Sequence, residues 1–132
     1  MKSNFFAQDP SVLPAQVITV PGAATKPGPE DARIVVIDRP QYPKAKSDSN
    51  GNFLYDSTQP QFDACEIFDA LKKGMALYCG ILQRGIPFAF PGKVRLLPHD
   101  GEGINAFYSR NDKAVHFLDM RNPKLGKSRK LL

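Results

Sequence analysis

The stretch PQFDACEIFDALKKGMALYCGIL, residues 60–82, constrains the fold more than any other part of the sequence. Pro60 suits the first turn of a helix, and Thr58 with Gln61 matches a capping box. The apolar residues recur every three or four positions, which is the spacing of one helix face: Phe62, Cys65, Phe68, Leu71, Met75, Tyr78 and Leu82. The sequence therefore predicts one long amphipathic helix over residues 60–82, whose apolar face other elements must cover.

Gly74 interrupts this helical pattern near its middle. A glycine in a helix interior costs about 1 kcal/mol relative to alanine, because it gains no side-chain contacts and loses more backbone entropy. Its presence indicates that another backbone packs closely at this position. Gly85 is predicted to stop the helix.

Short apolar runs on both sides of the helix predict strands. Residues 1–33 are different, since they hold five of the twelve prolines and predict an extended arm. The predicted strands, which turn signals separate, cover residues 34–37, 52–55, 88–97, 104–109 and 114–118, with a polar turn at 110–113. We therefore expect a soluble α+β fold: a small, mainly antiparallel sheet packed on one long helix. Its parts are an extended Pro-rich N-terminal arm (1–33), the α+β domain (34–120) and a basic tail (121–132).

The net charge of +5 is concentrated in the tail. Five of the 18 basic residues lie there without any Asp or Glu, so the remaining 13 balance 13 acidic residues. A neutral body argues against a nucleic-acid-binding face on the domain. Only the tail is left to contact phosphate, acidic protein or a membrane surface, and short basic termini are usually just solvated. Its basic residues are Arg121, Lys124, Lys127, Arg129 and Lys130.

The cysteines and histidines give no sign of catalysis. Cys65 and Cys79 would lie about 21 Å apart on one helix, too far for a disulfide, and two free thiols fit a reducing compartment. The sequence has no apolar run of transmembrane length and no signal peptide, which predicts the cytoplasm. His99 and His116 lack the helical spacing of a zinc site, and there is no nucleophile elbow or P-loop.

One segment resembles a known family. The order of elements resembles the stretch before the zinc helix of thermolysin-like zinc metallopeptidases, the gluzincins. That order is helix, strand, GEGINAFY at residues 101–108, polar turn and Val115-His116-Phe117. The likeness covers residues 55–120, and its sharpest element is NAFY at 105–108. In that family this signature lies on an edge strand of a β-sheet, next to a strand joined by a tight turn.

The resemblance implies a role for each residue of the NAFY signature. Asn105 would hydrogen-bond the main chain of a bound peptide, Ala106 would present its N–H and C=O to it, and Phe107 or Tyr108 would anchor the strand. An unpaired edge is a template for strand addition, and a small residue lets another backbone approach. The alternative is that Asn105 caps a strand end while the aromatic residues fill the core.

The catalytic residues of the family do not occur in the sequence. It contains no His-Glu-x-x-His, the motif that supplies two zinc ligands and the general base, and the third ligand, a later glutamate, is missing too. The family places this helix beyond Met120, and the sequence ends at Leu132. We therefore expect no cofactor in this chain and no enzymatic activity from it alone, with zinc entering only if a missing catalytic lobe is supplied.

Three functions remain open. The favoured one is a non-catalytic, protease-derived subunit that docks a peptide or a protein partner on its edge strand within a larger assembly. The second is the N-terminal fragment of a zinc endopeptidase whose catalytic half lies on a continuation or another chain. The third, least favoured, is binding of nucleic acid or a membrane surface through the basic tail. In the first two cases, the face that a catalytic lobe would cover promotes association.

Overall fold

A computed structural model describes residues 1–6, 14–20, 24–85, 88, 92–101, 105–121 and 129–131. Within these residues the fold is α+β, as predicted. The elements in chain order are β1 (Lys2–Phe5), β2 (Gln16–Thr19), β3 (Ile34–Val36), α1 (Pro60–Leu82), β4 (Val94–Leu97), β5 (Ala106–Ser109), β6 (Ala114–Phe117), β7 (Asp119–Arg121) and β8 (Arg129–Leu131).

Helix α1 has the bounds that the sequence predicts, but its ends differ from the prediction. The N-cap is Gln59, which makes no side-chain capping hydrogen bond, and the Thr58 hydroxyl donates to Asp56 instead. The predicted capping box is therefore wrong. At the other end, Gln83 takes the left-handed conformation (φ 54°), and Arg84 N donates to Cys79 O at 3.2 Å. The helix thus ends before Gly85.

The main sheet has four strands in the order β3-β4-β6-β5. The β3–β4 and β4–β6 pairs are parallel, and only β5–β6 is antiparallel. The expectation of a mainly antiparallel sheet is therefore wrong for this sheet. The physical reason is the long connection that contains α1, because a crossover of this length lets β4 return beside β3 in the same direction.

The core lies between α1 and one face of this sheet. Strand residues alternate between the two faces, so every second side chain points toward the helix. Val115 and Phe117 of β6 pack on this cluster, which leaves Ala114 and His116 on the opposite face. The buried cluster consists of Ile34, Val36, Ala64, Ile67, Phe68, Val94 and Leu96.

The N-terminal region packs on the body. Strands β1 and β2 pair antiparallel, with Ser3 opposite Ile18, and β1 contacts α1. Ser3 is fully buried, and Phe53 N donates to Lys2 O at 2.9 Å. Of the predicted strand at 52–55, only the single bridge between Phe53 and Ser3 forms. The described part of the arm thus packs on the domain, and its first part does so as the β1–β2 strand pair, while the boundary at residue 33 stays a prediction.

No helix within the described residues is long and apolar enough to cross a membrane.

Candidate functional site

Strand β5 forms one edge of the four-stranded sheet, without a further strand beside it among the described residues, and the predicted binding residues lie on it or directly before it. Asn105 directly precedes β5, and Ala106, Phe107 and Tyr108 are its first three residues. Phe107 is 43% exposed and Tyr108 is 48% exposed, so these aromatic rings do not fill the core. All four predicted residues therefore lie together at one accessible edge.

The hydrogen bonds around β6 determine which backbone groups of β5 face outward. Leu118 N donates to Asn105 O at 3.1 Å, and Asp100 N donates to Phe117 O at 3.0 Å on the opposite side of β6. Hydrogen-bonded and non-hydrogen-bonded pairs alternate along an antiparallel ladder. Because Ala106 lies opposite Phe117 and Tyr108 opposite Val115, the N–H and C=O groups of Ala106 and Tyr108 point away from β6.

Asn105 closes part of this edge. Its Oδ1 accepts a hydrogen bond from Ala106 N at 2.9 Å, which gives the outward N–H of Ala106 a partner within the chain. This is the strand-end cap that the sequence left open as an alternative. Because Oδ1 accepts from the outward N–H of Ala106, the side-chain amide of Asn105 lies at the position where an added strand would run.

The opposite edge of the sheet is covered by the chain itself. Asp31 N donates to Ile34 O at 2.9 Å, and Val36 N donates to Pro29 O at 3.2 Å. A bridge between Glu30 and Val35 adds to this cover. Among the described residues, β5 is therefore the edge at which another strand can join this sheet.

Beneath β5, on the face away from α1, lies a histidine held between two carboxylates. His116 Nδ1 is 2.5 Å from Asp100 Oδ2, and His116 Nε2 is 3.2 Å from Asp112 Oδ2. The Phe107 ring stacks on the imidazole at a centroid distance of 4.8 Å and an angle of 10°. This arrangement fixes Phe107 from below and leaves its outer face to solvent.

A second buried histidine ties three elements together. His99 Nδ1 is 2.7 Å from Asp38 Oδ2, after β3, and Nε2 is 2.8 Å from Asp63 Oδ2, in the first turn of α1. Tyr42 stacks on the ring at 4.2 Å. His99 is 2% exposed and both its nitrogens contact carboxylates, so the geometry is that of a structural tether.

The two histidine clusters were missed at the sequence level, although one signal pointed to the cluster around His99. Parallel β3 and β4 end at the same side of the sheet, where Asp38 and His99 meet. Recognising the crossover through α1 would have placed them together. In the cluster around His116, Asp112 and His116 are four residues apart across a tight turn, a spacing that predicts contact only once the hairpin register is known.

The chemistry of the remaining groups is limited. Within the described residues, no group of three His, Cys, Asp or Glu side chains is arranged to hold a metal ion. Cys65 and Cys79 are free thiols, and burial together with the nearby Asp69 raises the pKa of Cys65, which makes it a poor nucleophile.

The predicted tail residues are only partly described. Arg121 lies on β7, and Arg129 and Lys130 lie on β8, which pairs antiparallel with β7. Lys124 and Lys127 lie outside the described residues. Three of the five basic residues of the predicted tail, Arg121, Arg129 and Lys130, therefore lie on a second strand pair.

Comparisons with known proteins gave no match to a protein-family model, to a curated protein or to a solved structure. The resemblance to zinc metallopeptidases therefore stays a prediction from the NAFY segment.

Proposed function

We propose that this protein docks an extended segment of a protein partner on the open edge of β5, by adding a strand to the sheet. The observation that carries the proposal is the outward direction of the N–H and C=O groups of Ala106 and Tyr108. Strand addition takes its affinity from such main-chain hydrogen bonds and its specificity from alternate side chains. The role is one of binding and does not require a catalytic group in the chain.

The side chains around the edge support this function. Ala106 is small, so a second backbone can approach it closely, and the side chains of Phe107 and Tyr108, which follow it, lie on opposite faces of the sheet. Phe107 is held from below by His116, which lowers the entropy lost when a ligand side chain packs on it. Exposed aromatic side chains with a fixed orientation are favourable anchors for a partner.

Asn105 serves as a replaceable cap in this proposal. On docking, the N–H of Ala106 donates to a ligand carbonyl oxygen instead of to Asn105 Oδ1, so the net gain at that site is small. The released amide then pairs with the ligand main chain, as the family resemblance implies. The bare edge is thereby protected from unspecific pairing while no ligand is bound.

A matched pair of variants at Ala106 tests the proposal. Ala106→Pro removes the outward N–H and fills the approach with a ring, whereas Ala106→Val changes the side chain and keeps the donor. Neither change removes a hydrogen bond to β6, because the groups of Ala106 point outward. We expect Ala106→Pro to abolish binding of short alternating apolar and polar peptides from an array, and Ala106→Val, which keeps the donor but enlarges the side chain, to weaken it much less.

The peptides supply a second control. Methylating one amide at a time along a bound peptide should abolish binding at every second position, because only alternate amides of an added strand face β5. Uniform sensitivity along the peptide, or equal binding by both Ala106 variants, would show that side chains alone hold the ligand.

One observation favours a second candidate, the front part of a zinc endopeptidase. The NAFY signature lies on an edge strand antiparallel to the next strand, which is the placement that the resemblance implies. In that case the docked segment is a substrate, and the catalytic groups come from elsewhere. Peptide mapping of the native protein tests this, since it predicts peptides from a His-Glu-x-x-His segment on the same or a tightly bound chain.

A further inference from the structure

The C-terminal half of α1 carries an apolar surface. Leu77, Tyr78 and Ile81 are 64%, 65% and 69% exposed, and Leu82 is 45% exposed. The sequence between Gly74 and Gln83 contains no charged residue. Single exposed apolar side chains are common, but a contiguous group on one helix indicates an interaction surface.

Gly74 forms a notch in this surface. Gly74, Leu77, Tyr78 and Ile81 share one helix face through the spacing i, i+3, i+4, i+7. A Cβ atom built on Gly74 would meet no atom within 4 Å. The close backbone approach that the sequence predicts at Gly74 therefore has no partner among the described residues, and its cost in helix stability is unexplained within one copy.

The pattern is complementary to itself. If two copies of α1 pack antiparallel about the point between Leu77 and Tyr78, Ile81 of each copy lies opposite Gly74 of the other. Leu77 of each copy then lies opposite Tyr78 of the other. A protruding side chain thus meets a notch at both ends of the contact, which is the self-complementarity that a two-fold interface requires.

We infer that this face of α1 is the interface between two copies of the chain. The charges agree with this arrangement, because the flanking Lys73 and Arg84 fall opposite Leu82 and Leu71 and never opposite each other. A foreign partner would need only an apolar face, whereas the symmetric placement of notch and protrusion favours a second copy.

The surface area available on α1 limits how stable such a dimer can be. The four exposed side chains offer on the order of 500 Å² per copy, so the dimer buries at most about 1,000 Å² in total, near the lower limit for a specific interface. An interface of this size belongs to the weak, reversible class, so we expect monomer and dimer to exchange with protein concentration.

Sedimentation velocity of the full chain over a concentration series tests the inference. Gly74→Leu fills the notch and Ile81→Glu places two charges in the contact, so each should weaken the dimer by about a hundredfold or more. Ala76→Leu is the matched control, because Ala76 is exposed and lies about 200° around the helix from Gly74. It should change the dissociation constant less than about twofold.

The same series can refute the inference. Gly74→Leu raises helix propensity, and the site has room for it in one copy, so a folded monomer is expected and far-UV circular dichroism verifies it. A wild-type protein that stays monomeric up to its solubility limit overturns the inference. Dimers that survive both substitutions overturn it too, as do dimers lost only in Ala106→Pro, which would place the contact on β5. Peptide docking is not required for this inference.

Discussion

Asp69→Asn should stabilise the protein at neutral and alkaline pH and leave it unchanged in acid. Asp69 lies on α1 and is fully buried, facing the equally buried Ser3 of β1. Neither its carboxylate oxygens nor Ser3 Oγ has a hydrogen-bond partner of good geometry among the described residues. Removing the charge while keeping the shape therefore relieves a buried, poorly compensated carboxylate.

The direction of the pH dependence follows from the pKa of Asp69. Desolvation by burial raises this pKa to about 7, reinforced by Glu66, while Ser3, Lys73 and the N-terminal amino group lower it in part. In the unfolded chain the pKa is about 3.9. The folded state thus binds the proton more tightly between these values, so stability contributed by the neutral form is lost as the pH rises from about 4 through about 7.

The expected gain in the free energy of unfolding at alkaline pH is a few kcal/mol. A separation of about three pKa units corresponds to about 4 kcal/mol, which relaxation of the buried site reduces to about 2–4 kcal/mol. Urea unfolding of wild type and Asp69→Asn near pH 4, 6 and 8 measures the difference, which should grow from about zero to its full value. Asp48→Asn, at an exposed position, controls for the change in net charge. A difference that stays constant with pH, or a less stable Asp69→Asn at pH 8, would show that ionisation of Asp69 does not destabilise the folded state.

Three further predictions concern stability and thiol access. Lys72→Met should cost about 1–2 kcal/mol at neutral pH, because Lys72 Nζ lies 2.7 Å from Asp31 Oδ2. Burial opposes ionisation of Asp31, but hydrogen bonds from Lys72 and two backbone amides lower its pKa overall; the loss measured by urea unfolding should therefore vanish as the pH falls through that lowered value. His99→Ala should cost about 2–4 kcal/mol by the same assay, because it leaves two carboxylates without their shared partner. A thiol reagent should label Cys79 in the native protein and Cys65 only on unfolding, since Cys65 is buried.

The parts of the fold that were predictable depend on local signals. The bounds of α1 follow from the apolar period and Pro60, and the β5–β6 hairpin follows from two apolar runs around the turn at 110–113. The placement of Asn105 to Tyr108 on an exposed strand follows from the same hairpin. In each case, the residues that determine the structure are neighbours in the sequence.

The parts that were missed depend on contacts between distant residues. Parallel pairing of β3 with β4 is set by the long crossover, and no local pattern distinguishes it from an antiparallel pair. His99 meets Asp38 and Asp63 from 61 and 36 residues away. The prolines of residues 1–33 predicted an extended arm, so nothing in the sequence indicated that Ser3 is buried. In the structure β1 packs on α1.

Amide hydrogen exchange along β5, followed by NMR with and without a bound array peptide, shows whether a partner strand joins the sheet at this edge. In the free protein, the Tyr108 amide should exchange quickly, while those of Phe107 and Ser109, which face β6, are protected. Adding the peptide should protect Tyr108 and leave Phe107 unchanged. Strand addition at β5 is contradicted if the Tyr108 amide stays unprotected while the peptide is bound.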